Sequence, residues 1–175
     1  MKEIFTIGHS TRPIEEFLEL LKKHGVEQLV DIRSVPGSRR NPQYGQKALR
    51  ESLLKHGIDY VYMKSLGGFR PEAENSINMG WRNESFRNYA DYMQTEEFAE
   101  GIEELIHLAQ KPTVIMCAEA VPWRCHRSLV ADALIVRGIR VRDIIDSTHV
   151  SDHTMTKFAK VDGYTITYPE ESEDE

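Results

Sequence analysis

The sequence predicts an α/β fold, a single domain built on a mostly parallel sheet of about five strands with helices on both faces, plus a C-terminal hairpin. Three observations carry this prediction. Short apolar runs of four or five residues alternate with longer stretches whose apolar residues recur at helical spacing. Glycine or proline stands at most junctions between them. A strand-helix-strand alternation also supplies the crossovers that parallel neighbours need.

The elements follow in order. Ile4 to Ile7 is the first apolar run and stops at Gly8-His9-Ser10. Pro13 suits a first helical turn, Ile14, Phe17, Leu18 and Leu21 repeat at i, i+3, i+4 and i+7, and Gly25 ends the helix. Leu29 to Ile32 is the second strand. Gln46 to His56 reads as a helix with Leu49, Leu53 and Leu54 inward, closed by Gly57. Tyr60 to Met63 is the third strand and leads into Ser65-Leu66-Gly67-Gly68. From Phe69 to about Glu84 the chain is polar and aperiodic, which suggests a lid or binding loop. Phe86, Tyr89, Ala90 and Met93 mark one helix, and Phe98, Ile102, Leu105, Ile106 and Ala109 the next. Pro112 precedes a strand from Thr113 to Cys117, Leu129 to Leu134 belongs to a helix that stops at Gly138, and Val141 to Ile145 is the fifth strand. Val161-Asp162-Gly163-Tyr164 reads as a hairpin turn feeding Thr165 to Tyr168. His24, His56 and His107 fall near helix C-termini, where the helix dipole accounts for them. No repeat or linker interrupts the pattern, so residues 1–168 are expected to form one domain and 169–175 a disordered acidic tail.

Composition narrows the functional classes. Hydrophobic residues at 40% and charged residues at 29% fit a soluble globular chain. No apolar run approaches the ~20 residues of a membrane span. The first residues lack the charged-then-apolar layout of a signal peptide, and two cysteines are too few for a disulfide framework. A cytoplasmic protein with no membrane partner is the expectation. The net charge of −6 is uneven, because residues 169–175 hold five acids and the remainder carries only −1. The run from Ile32 to Arg50 instead holds five bases and no acid. An isoelectric point near 5.7 argues against broad DNA binding, so any phosphate contact should be local.

In such folds ligands gather outside the carboxyl ends of the strands. Those ends carry His9, Ser10 and Thr11; Asp31 and Arg33; Ser65, Gly67 and Gly68; Cys117 and Glu119; and Asp143 and Asp146. Asp31 and Arg33, two apart, read either as an ionised carboxylate with its guanidinium at a reactive centre or as an ion pair stapling a loop. Glu119 follows a fully apolar strand, where an unpaired carboxylate would be costly. Two carboxylates on different strands can share acid and base roles if burial raises one pKa. The loop from Val35 to Tyr44 adds Arg39 and Arg40, and the polar stretch adds Trp81 and Arg82; arginines interleaved with aromatics suit phosphate contact and base stacking.

Cys117 and Cys125 bracket the next loop, with His126 and Arg127 directly after it. A cysteine at a strand end before a helix is the layout of rhodanese-like and tyrosine-phosphatase-like thiolate loops. Arg124 lies one position too far for a C-x5-R loop, and Val121-Pro122-Trp123 stands where such a loop prefers glycines. Zinc is the one metal to consider, on Cys117, Cys125 and His126 with His9 or His149, but C-x7-C is not a usual zinc spacing, so no cofactor is expected. The preferred role for Cys125-His126-Arg127 is anion binding at a helix start.

Longer motifs carry a family likeness. These are Thr6-Ile7-Gly8-His9-Ser10, Asp31-Ile32-Arg33-Ser34 with Ser38-Arg39-Arg40-Asn41-Pro42, Leu66-Gly67-Gly68, Asn78-Met79-Gly80-Trp81-Arg82-Asn83, Tyr89-Ala90-Asp91-Tyr92-Met93, and Met116-Cys117-Ala118-Glu119 through Cys125-His126-Arg127. Together they resemble the "domain of unknown function 488" family of prokaryotic proteins, from about residue 3 to 145. The resemblance implies an intracellular α/β domain whose signature residues coincide with the strand exits, and a weak association with nucleic-acid or nucleotide metabolism. It implies no particular reaction.

The leading expectation is a hydrolase-like enzyme acting on a phosphate-bearing small molecule or nucleic acid. Asp31 and Glu119 would be its reactive carboxylates, assisted by His9 and Ser10. Arg33, Arg39, Arg40, Arg127, Gly67, Gly68, Trp81, Arg82, Cys125 and His126 would bind the substrate. The alternatives are a thiol enzyme using Cys117 and a non-catalytic nucleotide or nucleic-acid binder.

Overall fold

The computed structural model describes residues 2–37 and 39–170. Ser38 and most of the acidic tail, residues 171–175, lie outside the described residues, and with them the expectation of tail disorder.

Five strands run parallel: β1 (Glu3–Gly8), β2 (Gln28–Asp31), β3 (Asp59–Tyr62), β4 (Thr113–Cys117) and β5 (Arg140–Ile144). A short sixth strand, β6 (Val150–Asp152), pairs antiparallel with β5 and was not expected. The spatial order is β3-β2-β4-β1-β5-β6. A separate hairpin, β7 (Lys160–Asp162) and β8 (Thr165–Thr167), turns at Gly163 with φ 64° as the sequence suggests.

Helices α1 (Ile14–Lys23) and α2 (Gln46–Lys55) cover one face, and α3 (Glu84–Tyr92), α4 (Glu96–Leu108) and α5 (Arg127–Ile135) the other. Strand alternation divides the core between the faces. Phe5, Ile7, Leu29, Val114 and Met116 pack toward α1 and α2, while Ile4, Val30, Ile115 and Cys117 pack toward the α3–α5 side. The α1 connection leaves β1 across one face, and the α5 connection leaves adjacent β4 across the other. The β1/β4 boundary is therefore the topological switch point, where open α/β sheets form their ligand crevice.

The polar stretch after Gly68 contains no regular element before α3, yet its middle is tied down. Buried Asn78 donates to Asp91 and Gln94 at 2.8 Å each and accepts from the Tyr168 backbone N–H at 2.8 Å. No helix of the described residues is long and apolar enough to cross a membrane.

Candidate functional site

Two backbone bonds stitch the exits of β1 and β4 together: His9 N–H to Cys117 C=O and Ser10 N–H to Ala118 C=O, both 2.9 Å. Ser10 sits at φ 49°, a left-handed conformation uncommon for a residue with a side chain. Gly8 has no choice of side chain, because a Cβ there would lie 1.5 Å from the Glu119 carbonyl oxygen.

Two adjoining recesses open at these exits. The larger, about 760 Å³, is lined by His9, Ser10, Arg33, Arg39, Arg40, Glu119, Trp123 and Arg124, among others. The smaller, about 280 Å³, is lined by Cys117, Cys125, His126, Gly68 and Phe86. Arg33, Ser34, Ala118, Glu119 and Arg124 belong to both walls. Four arginines against one glutamate give the larger recess an anion-attracting lining.

Cys117 forms part of the smaller wall and is buried, 2% exposed. Arg127, fully buried at the first turn of α5, donates from NH1 to Cys117 Sγ at 2.9 Å. The same guanidinium donates to the carbonyls of Glu119 and Ala120, so it fastens the loop as well as facing the sulfur. Burial pushes the Cys117 thiol pKa up, but the Cys125 thiol and the Arg127 charge outweigh it and bring the value down to about 7. Cys125, buried beside the developing thiolate, is pushed the other way. Arg127 is therefore a counter-ion for Cys117, and it lines neither recess.

His126 Nε2 lies 2.9 Å from the Ile32 carbonyl oxygen, which can only accept, so Nε2 carries the proton. That leaves Nδ1 unprotonated, 3.4 Å from Cys125 Sγ. Burial lowers the His126 pKa to about 4 and keeps the ring neutral. A Cβ on Gly68 would come within 2.5 Å of Nδ1, which explains the glycine.

Asp31 is on the opposite sheet face from Cys117 and is fully buried. Its Oδ1 accepts from Arg33 N at 3.1 Å and Nε at 2.9 Å, and its Oδ2 from Arg33 NH2 at 2.7 Å and Tyr60 OH at 2.6 Å. With four donors committed to it, the carboxylate holds Arg33 and lines neither recess. His9 stacks on Tyr44 at 4.3 Å between ring centroids. Its Nδ1 donates to the Ser10 carbonyl at 2.8 Å, leaving Nε2 facing Arg33 NH1 at 3.4 Å. Burial, aided by the Arg33 charge, lowers the His9 pKa.

The structure thus gathers His9, Ser10, Arg33, Arg39, Arg40, Gly68, Cys117, Glu119, Cys125 and His126 around the two recesses. Gly67 lies just outside, where a Cβ would meet the Ser34 hydroxyl at 2.9 Å. Trp81 is elsewhere, packed against Phe86, Phe158 and Tyr168, and Arg82 lines neither recess. Among the described residues no group of three or more His, Cys, Asp or Glu is arranged to hold a metal ion. His149 pairs with Asp146 at the surface beyond β5. Sequence reasoning missed Trp123, 66% exposed on the larger recess, and Arg124 beside it. Trp123 stands outside any periodic segment, the same signal that singled out Trp81. The pairing of Cys117 with Arg127, ten residues on, departs from the short thiolate-loop spacing and gave no sequence signal.

No curated protein and no solved structure matches the chain. A family model does, from residue 13 in the turn after His9 to residue 134 in α5, a span that includes every recess residue except those at the β1 exit. The chain belongs to the family described as Domain of unknown function DUF488.

Proposed function

We propose that this chain is a hydrolase-like enzyme that takes a phosphate-bearing substrate, such as a nucleotide, into the arginine-lined recess and attacks it with the Cys117 thiolate. The observation that carries the reading is the 2.9 Å contact from a fully buried guanidinium to Cys117 Sγ at the wall of that cavity system. A thiolate populated near neutral pH is the nucleophilic form. Arg39, Arg40 and Arg124 supply charge for phosphate oxygens, and exposed Trp123 and Val35 supply apolar surface for a base or aryl group. A volume of about 760 Å³ suits a ligand of nucleotide size.

In the first step Cys117 sulfur attacks phosphorus, a sulfur–phosphorus bond forms, and the ester oxygen departs with its electron pair. Glu119, on both recess walls, donates the proton that the leaving oxygen needs. Water then attacks the phosphorus of the S-phosphorylated Cys117, Glu119 accepts its proton, the sulfur–phosphorus bond breaks, and inorganic phosphate leaves with the thiolate restored. Asp31 takes no proton in this scheme and orients Arg33.

The test is turnover of an aryl phosphate and of nucleoside monophosphates by the full chain. Cys117→Ser should abolish turnover, and Glu119→Gln should lower it by about 100-fold or more. Acid-quenched enzyme should carry phosphate on Cys117. Turnover that survives Cys117→Ser but fails in Glu119→Gln would replace the thiol reading with a carboxylate one, which the position of Glu119 on both walls also favours. Salt-sensitive nucleotide binding with no turnover in any form would make the chain a binding protein.

A further inference from the structure

Phosphoryl chemistry needs one thiol, yet the site holds two. Cys117 and Cys125 are both free and buried, both line the smaller recess, and each thiol shifts the titration of the other. Arg127 ties the two together, its guanidinium on Cys117 Sγ at 2.9 Å and its backbone N–H on Cys125 Sγ at 3.5 Å. Cys125 also has a hydrogen-bond acceptor in His126 Nδ1 at 3.4 Å, which orients its thiol. A nucleophilic sulfur and a second sulfur on the same recess wall, both held by one arginine, are the parts of a thiol pair that closes on itself.

We propose that Cys125 is the resolving thiol of Cys117, and that the two form a reversible disulfide when the site meets a hydroperoxide. The inference deepens the thiolate reading of Cys117 and rests on that part of it, but not on phosphoryl transfer. The Cys117 thiolate attacks the terminal peroxide oxygen; a sulfur–oxygen bond forms, the oxygen–oxygen bond breaks, and the departing hydroxide or alkoxide takes a proton from solvent to leave as water or an alcohol. Cys117 is now a sulfenic acid, oxidised by two electrons, and the peroxide is reduced by the same two. Cys125 sulfur then attacks Cys117 sulfur, and the sulfur–oxygen bond breaks as the disulfide forms. The Cys125 proton goes to the departing hydroxide, giving water. A dithiol reductant returns both sulfurs to thiols by exchange.

The cavity geometry supports an intramolecular outcome. Cys117 is 2% exposed and Cys125 6%, so a small peroxide enters the recess far more readily than the sulfur of another protein does. Closure within one chain also stops Cys117 short of the sulfinic acid, the irreversible stage of thiol oxidation.

The experiment treats the reduced full chain with a small excess of hydrogen peroxide, blocks remaining thiols, and maps peptides by mass spectrometry without reduction. Trypsin cuts after Arg124 and Arg127, so the bond would join the peptide 88–124, holding Cys117, to the tripeptide 125–127, holding Cys125. The joined pair should appear in monomeric protein and vanish after dithiol treatment. In Cys125→Ser, Cys117 should instead advance to sulfinic acid that dithiol does not reverse. Sulfinic acid on Cys117 of the natural chain with Cys125 still blockable, or a disulfide between two copies, would overturn the proposal. Because the readout is a covalent mass, a chain that hydrolyses no phosphate ester still decides it, and a phosphatase without the joined peptide fails this inference alone.

Discussion

Arg127 makes the Cys117 thiol reactive and the loop around it rigid, and these two contributions separate experimentally. Arg127→Gln removes the positive charge beside the sulfur. The alkylation rate of Cys117, expected to rise to half its limit near pH 7 in the natural chain, should then do so closer to the ordinary thiol value of about 8.5. The same change frees the Glu119 and Ala120 carbonyls, at a cost of about 1–3 kcal/mol for each left unpaired, readable by urea denaturation. Asp31→Asn behaves differently: it leaves the Arg33 guanidinium buried without its counter-charge and should cost about 3–5 kcal/mol, with the Cys117 alkylation profile unmoved. At this scale the sequence was half legible. Asp31 and Glu119 both follow apolar strands, and nothing in either string of residues says that one will meet four donors and the other stand exposed on a recess wall. That difference depends on Arg33 folding back two positions and on Tyr60 arriving from the neighbouring strand β3.

The elements place these residues because β1 and β4 end side by side while their helices leave to opposite faces. Gly8 is the tight point of that arrangement. Gly8→Ala puts a Cβ into the Glu119 carbonyl and against Arg127 NH1, both backbone and guanidinium being fixed, so the loop must shift. The expected loss exceeds about 3 kcal/mol in urea denaturation, and the Cys117 alkylation midpoint should rise with it as Arg127 is displaced. Periodicity located β1, β2, β4 and their exits well, since a four- or five-residue apolar run buried on both faces is a strong local signal. It could not anticipate β6, three residues of which two are exposed, because an edge strand of that length has no hydrophobic signature. Trp81 misled for a related reason. It falls outside the helical pattern because its partners are Phe158 and Tyr168, almost eighty residues and more along the chain, and local spacing is blind to such contacts.

Across the whole molecule the C-terminal segment is fastened to the core through Asp132, which is fully buried on α5. It accepts from His153 at 2.8 Å, from the Thr156 hydroxyl at 2.7 Å and from Tyr168 OH at 2.8 Å, while Asp143 faces the other nitrogen of His153 at 3.6 Å. Burial draws the His153 pKa down, but the bonds and charges of Asp132 and Asp143 prevail and raise it to about 9. Because the folded value lies above the unfolded one of about 6.5, this stabilisation is complete below pH 6.5 and disappears as pH rises through 9. The shift corresponds to on the order of 3 kcal/mol. Denaturation midpoints at pH 6.5 and pH 10 should differ by less in His153→Gln than in the natural chain, and equal differences would remove His153 from the account. None of this network was visible in the sequence, where Asp132 lies inside an apolar helix and its partners are scattered over the following forty residues.

The two tryptophans occupy different environments: Trp123 stands open on the arginine-rich wall, and Trp81 is half-buried among aromatic rings contributed partly by the C-terminal segment. The protein therefore carries two built-in optical reporters. Iodide should quench the red-shifted emission of Trp123, a ligand seated among the arginines should shield it, and the blue-shifted emission of Trp81 should move only when the C-terminal segment detaches.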